Sequence, residues 1–161
     1  MDARIVEWLK LVSGGEAPNL YVVGGDKSTR EDAVVDVLAE LPPLFDFARM
    51  AFGEVAAALG REQRLLSSLS SDPWSDERSS RARHAPLLVI DDFGAGEPDA
   101  NELFGLMTLF QIRRDNARPI IASSQLLPSE VVHIWQMSKV DEVLADKTDW
   151  RFFRNSTIVE I

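Results

Sequence analysis

Two stretches carry residue types that could do chemistry. The first is Gly24-Gly25-Asp26-Lys27-Ser28-Thr29-Arg30-Glu31, between the apolar run Leu20-Tyr21-Val22-Val23 and a segment of helical spacing. A phosphate-binding loop occupies such a place and reads G-x-x-x-x-G-K-[ST]. Its backbone amides wrap the phosphates, its lysine contacts the terminal ones and its hydroxyl binds magnesium. With Gly24 as the first glycine, Thr29 stands for the second glycine, Arg30 for the lysine and Glu31 for the hydroxyl. A forked guanidinium is a poor substitute for a compact ammonium, and Asp26 and Glu31 add negative charge where phosphates would lie. A rival register sets Lys27-Ser28 in the lysine-hydroxyl positions, with Asp26 and Tyr21 in place of the glycines and a shortened cradle.

The second stretch is Leu87-Leu88-Val89-Ile90-Asp91-Asp92, four apolar residues ending in two carboxylates. This is the Walker B pattern, in which the first acid holds magnesium through water and the second polarises the attacking water. Many α/β folds end an apolar strand in aspartate, so the pattern alone is weakly specific. A third candidate is Ser124, a polar residue closing the strand Pro119-Ile120-Ile121-Ala122-Ser123-Ser124. Nucleotide chemistry would therefore draw on Gly24, Lys27, Ser28, Arg30, Asp91, Asp92 and Ser124.

These candidates need an alternating scaffold. Ala3 to Val12 has the spacing of an amphipathic helix, ended by Ser13-Gly14-Gly15. The buried run at residues 20–23 suits a strand covered on both faces of a parallel sheet. Ser28 or Thr29 is placed to cap the next helix, whose apolar face is Ala33, Val34, Val37, Leu38 and Leu41 and which Pro42-Pro43 stops. Leu44-Phe45-Asp46-Phe47 reads as a second strand, and residues 51–69 as a helix. Residues 70–85 are serine-rich and aperiodic, which predicts a mobile loop. Further helices are expected over residues 101–114 and from Pro128, and strands over 87–92, 119–124 and 157–161. Strands alternating with helices imply right-handed crossovers and a covered parallel sheet.

The composition limits what this scaffold can serve. The chain has 161 residues, 45% hydrophobic, which fits one domain over residues 1–161. There is no cysteine, so disulfides and thiolate metal sites are excluded. His84 and His133 lack ligand partners nearby in sequence, and no metal site is expected. With 26 acidic and 17 basic side chains the net charge is −9, which opposes broad nucleic-acid contact and favours a protein partner. The sequence shows no signal peptide and no membrane-length apolar run, so a cytoplasmic location is expected. Trp8, Trp74 and Trp135 are candidate partner anchors because tryptophan is enriched in interface hot spots, although packing is the ordinary role of each.

The order of these pieces resembles the DnaC, DnaA and IstB group of AAA+ proteins, which are helicase loaders, replication initiators and transposition ATPases. The likeness rests on Asn19 to Leu41, on Leu87 to Gly94, on Glu102-Leu103-Phe104, and on Arg113 through Pro128. It covers the chain from about residue 18 onward. It implies a three-layer α/β core of the P-loop NTPase type, with a parallel five-stranded sheet and Ser124 in the place of the family's sensor asparagine. Asp91-Asp92 match the family's acidic pair. The phosphate loop departs from the pattern. Asp146-Lys147 stands where an aspartate and the inter-subunit arginine are found, and no helical lid or DNA-binding domain is expected within residues 1–161. The resemblance with these departures implies a catalytically degenerate module without a cofactor, not an enzyme. It would act as adaptor or inhibitor on a replication protein such as a helicase, loader or initiator. The alternative is a small ATP- and magnesium-binding loader or transposition ATPase.

Overall fold

Five parallel strands form one sheet in the order β2-β3-β4-β1-β5 in the computed structural model, which describes residues 1–67, 77–137 and 152–161. The strands are β1 (Asn19–Val23), β2 (Phe47–Ala51), β3 (Leu87–Asp91), β4 (Ile120–Ser124) and β5 (Ser156–Glu160). The helices are α1 (Ala3–Gly14), α2 (Lys27–Ala39), α3 (Phe52–Ser67), α4 (Glu77–His84), α5 (Ala100–Asp115) and α6 (Pro128–Met137). A 3-10 turn at Phe153–Asn155 leads into β5. The expected α/β architecture with a parallel five-stranded sheet is therefore present.

Period-two alternation along the strands splits the core into two layers. Leu20, Val22, Leu87, Val89, Ile121 and Val159 face α1 and α2, where they meet Ile5, Trp8, Val12, Val34 and Val37. On the opposite face Tyr21, Val23, Leu88, Ile90, Ile120 and Ala122 join residues of α3, α4, α5 and α6. Burial of each large side chain contributes about 1.5–3 kcal/mol. The register Leu20↔Ile121 and Leu88↔Ile120 keeps the two layers aligned across β1, β4 and β3. On the second face α3 and α5 cross at two glycines. A Cβ at Gly105 would lie 2.7 Å from Leu59 Cβ, and one at Gly60 would lie 2.5 Å from Glu102 Cγ.

Several boundaries differ from expectation. The second strand is Phe47–Ala51, not residues 44–47. Phe45 N bonds Pro42 O at 3.0 Å and Leu44 has φ 67°, so a turn takes the place of the expected strand start. As an edge strand it buries Ala48 on alternation and lacks a continuous apolar run. The α2 cap is Asp26, not Ser28 or Thr29. The expected loop over residues 70–85 gives way to helix α4 from Glu77 onward, while residues 68–76, and Trp74 with them, lie outside the described residues. α4 has little apolar pattern because polar links hold it. Ser79 and Arg83 both bind the buried Glu62 carboxylate of α3, and Arg81 pairs with Asp46 at 3.2 Å. Asp146-Lys147 also lies outside the described residues.

Trp8 and Trp135 are corrected from candidate anchors to core residues, at 1% and 0% exposure. Trp8 donates its indole N–H to Pro18 O at 2.7 Å. Trp135 stacks on Phe52 with ring centroids 6.2 Å apart.

Candidate functional site

The C-terminal ends of β1, β3 and β4 lie side by side at one edge of the sheet, where open α/β folds place ligands. Only Gly24, Gly25 and Asp26 separate β1 from α2. Both glycines take left-handed backbone, with φ 101° and 56°. Gly24 also has no room for a side chain, since a Cβ there would lie 2.7 Å from Ile161 O.

The first turn of α2 is occupied by the chain itself. The Asp26 carboxylate accepts from Thr29 N and from Thr29 Oγ1, each at 2.8 Å. The Thr29 amide, and next its hydroxyl, hold this carboxyl below its usual range. A helix N-terminus favours an anion, and Asp26 supplies one. Arg30 is buried, and its guanidinium donates to Gly24 O at 3.0 Å and Gly25 O at 2.8 Å. It therefore points back under the turn. Thr29, Arg30 and Glu31 are helical residues here and not part of a loop, and Ser28 is exposed.

The acidic pair is matched by cations from two other elements. Arg49 of β2 grips Asp91 through Nε–Oδ2 at 2.7 Å and a second nitrogen to Oδ1 at 3.1 Å. Parallel pairing of Ala51 with Asp91 brings the two together. Bidentate pairs of this kind are the stronger ones, and the Asp91 hydrogen bond raises the Arg49 guanidinium further. Lys27 Nζ lies 3.2 Å from Asp92 Oδ2 and 3.8 Å from Glu31 Oε1. The bond to Asp92, then its charge and that of Glu31, raise the Lys27 ammonium.

The turn after β3 is fixed from below. Asp92 has φ 53°, a region that aspartate enters more readily than most residues. Phe93 N donates to Ser123 O at 2.8 Å, and the Phe93 ring sits among Tyr21, Phe52, Phe110, Trp135 and Phe152. Ser124 is fully buried. Its hydroxyl donates to Phe93 O at 2.6 Å and accepts from Leu126 N at 3.0 Å. Tyr21 OH donates to Leu126 O at 2.7 Å, and burial pushes its phenol up. A cleft of about 330 Å³ beside these groups is lined by Asp92, Phe93, Ala95, Ser124, Gln125 and Leu126.

The structure thus brings Gly24, Lys27, Arg30, Asp91, Asp92 and Ser124 to one edge. Arg49 and Asp26 are the site residues that sequence reasoning missed in these roles. Asp26 carried a signal, an aspartate three residues before a helical Thr29. Arg49 carried none, because its strand was placed too early.

Sheet order, helices on both faces and the turn–helix unit beside an acidic strand end define the core fold of AAA+ P-loop NTPase-like proteins. Solved structures show the same fold. DnaI matches with a TM-score of 0.71 at 19% identity, over 100% of this chain and 86% of that one. The DnaC helicase loader matches at 0.68 and 12% identity, over 100% and 92%. AMPPCP-bound DnaA from Aquifex aeolicus matches at 0.62 and 15% identity, over 96% of this chain and 44% of that one. No family model and no curated protein matches the sequence. No helix among the described residues is long and apolar enough to cross a membrane.

Proposed function

We propose that this chain is a protein-binding module of DNA replication, acting as adaptor or inhibitor on a helicase, loader or initiator without using nucleotide. The replication assignment is supported by the likeness to DnaI, the DnaC helicase loader and DnaA. One observation carries the nucleotide-free reading: the Asp26 carboxylate sits on the first-turn amide of α2, where the anion of a bound phosphate would otherwise go. The clamp of Arg30 on the carbonyls of Gly24 and Gly25 holds the turn in that form. Arg49 and Lys27 neutralise the acidic pair. The acidic surface, with net charge −9, suits a protein partner better than nucleic acid.

A second reading, a small ATP-binding loader or transposition ATPase, is favoured by Lys27 standing 3.2 Å from Asp92 at the strand-end edge. In that case Lys27 would swing to the terminal phosphates and Asp91 would hold magnesium through water.

Thermal unfolding with millimolar ATP, ADP or a non-hydrolysable analogue, each with magnesium, separates the two. A ligand at a hundredfold excess over its Kd adds about 2.7 kcal/mol to apparent stability. The module reading expects no shift, together with capture of a purified replicative helicase, loader or initiator in pull-down. A magnesium-dependent shift would overturn it in favour of the ATP-binding reading.

A further inference from the structure

The opposite edge of the sheet carries a separate groove. Four connections meet there: the end of α1, and the approaches to β2, β3 and β4. A cleft of about 440 Å³ has apolar walls from Val12, Ala17, Phe45, Pro86 and Pro119, with Ser13, His84 and Arg118 as its polar side chains. This volume falls within the range of small-ligand sites, about 300–1,000 Å³. A second cleft of about 290 Å³ adjoins it through Ala17, Ala117, Arg118 and Pro119, and adds Glu16, Arg114 and Asn155 to the lining, with the Glu16 carboxylate outside the first cleft. Arg118 therefore stands where the two meet.

The charge balance at this groove differs from the rest of an acidic molecule. Arg4, Arg49, Arg64, Arg81 and Arg83 each pair with a carboxylate. Arg118 and the neighbouring Arg113 have none among the described residues. Arg118 donates to Arg83 O at 3.2 Å and approaches His84 Nδ1 at 3.4 Å. Because a guanidinium can only donate, that contact makes Nδ1 the acceptor and leaves the ring proton on Nε2 as another donor. Arg113 is 1% exposed and donates to Ala82 O at 2.7 Å, to Pro119 O at 2.9 Å and, at the longer distance of 3.5 Å, to Pro86 O. Its Nε has no hydrogen-bond partner among the described residues. Burial, and next the charge of Arg118, push the Arg113 guanidinium down to about 9.

An arginine without a carboxylate partner, with the His84 ring beside it at the rim of an apolar cleft, selects a ligand of one kind. We infer that the groove between the α1 C-terminus and Pro119 binds a small anion carried on an apolar body, with Arg118 and His84 taking the anionic head and Phe45, Val12 and Pro86 the body. The head is a carboxylate or a phosphate monoester. This site lies away from the strand-end residues and does not depend on the proposed role in replication.

Titration of the whole chain with benzoate and with phenyl phosphate, followed by amide NMR shifts, tests the inference. Inorganic phosphate and benzyl alcohol serve as the head-only and body-only controls. Expected are shifts confined to residues 12–17, 44–46, 83–87 and 117–120, none at 24–29, and a Kd on the order of 1 mM for one aryl group with one charge-assisted contact. The tighter of the two aryl probes names the head. Arg118→Gln should weaken binding about tenfold or more. Phe45→Ala should weaken it as well while leaving the fold dispersion intact, and it serves if Arg118→Gln unfolds the chain. Saturation absent at 20 times that concentration, equal binding of inorganic phosphate, or affinity unchanged in both variants would overturn the inference.

Discussion

At the C-terminal edge of the sheet cations meet carboxylates, Arg49 with Asp91 and Lys27 with Asp92, whereas at the N-terminal edge Arg113 and Arg118 are bound to main-chain carbonyls. The first arrangement cancels charge and leaves side chains half open to water. The second satisfies backbone groups at the ends of α4 and β4 and leaves positive charge in place. Arginine thus serves different ends, and the cost of removing it should differ accordingly. Arg30 belongs with the second kind although it lies at the first edge, because it too binds only carbonyls.

The largest effect is expected at Arg113. Arg113→Met would strand two buried carbonyls and should lower unfolding free energy by about 3 kcal/mol, read from urea denaturation. A loss as small as that of a surface pair would show that water replaces the guanidinium there. Next is Arg30→Met, which frees the carbonyls of Gly24 and Gly25 and should cost about 2 kcal/mol by the same measurement. Arg49→Met breaks a partly exposed pair and should cost about 1 kcal/mol or less, the range of surface salt bridges. If Arg49 costs as much as Arg113, the contrast between the edges fails.

The smallest effect concerns pH. Asp2 is held down to about 2 by its bonds to Arg4, and Asp26 and Asp46 are also lowered, by Thr29 and by Arg81. A carboxyl lowered in the folded state contributes stability above its unfolded value of 3.8, lost as pH falls toward the folded value. Melting temperature should therefore fall between about pH 4 and pH 2. Asp26→Asn and Asp2→Asn should each flatten that limb. An unchanged acid limb in both variants would remove the carboxylate caps from the account.

How much of this could be read from the sequence follows from the kind of force at each place. β1, β3 and β4 were legible because buried central strands need unbroken apolar runs such as Leu20-Tyr21-Val22-Val23. α4 was not, because its place depends on Arg83 and Ser79 reaching Glu62 and on Arg81 reaching Asp46, which are contacts between distant segments. β2 slipped by a few residues because an edge strand buries only alternate side chains, and the apolar pair Leu44-Phe45 belongs to the turn before it. At the candidate site the acids Asp91 and Asp92 stood out, while their partners depended on the register that sets Ala51 opposite Asp91. Ser124 was placed at the right strand end, yet its hydroxyl serves the Phe93 carbonyl, a use that needs the β3–α5 turn to be seen.

The crowding at Gly24 sets which sequences can be reached from this one. Any side chain at position 24 would collide with the Ile161 carbonyl at 2.7 Å and would have to adopt φ 101°. Point substitution there is closed in both directions. A longer loop between β1 and α2 would need the first turn of α2 to unwind or residues to be inserted after Gly25, with the end of β5 moving aside in the same step. Exchanges at position 24 therefore leave this turn short, and a spacious loop would have to be opened from the α2 side.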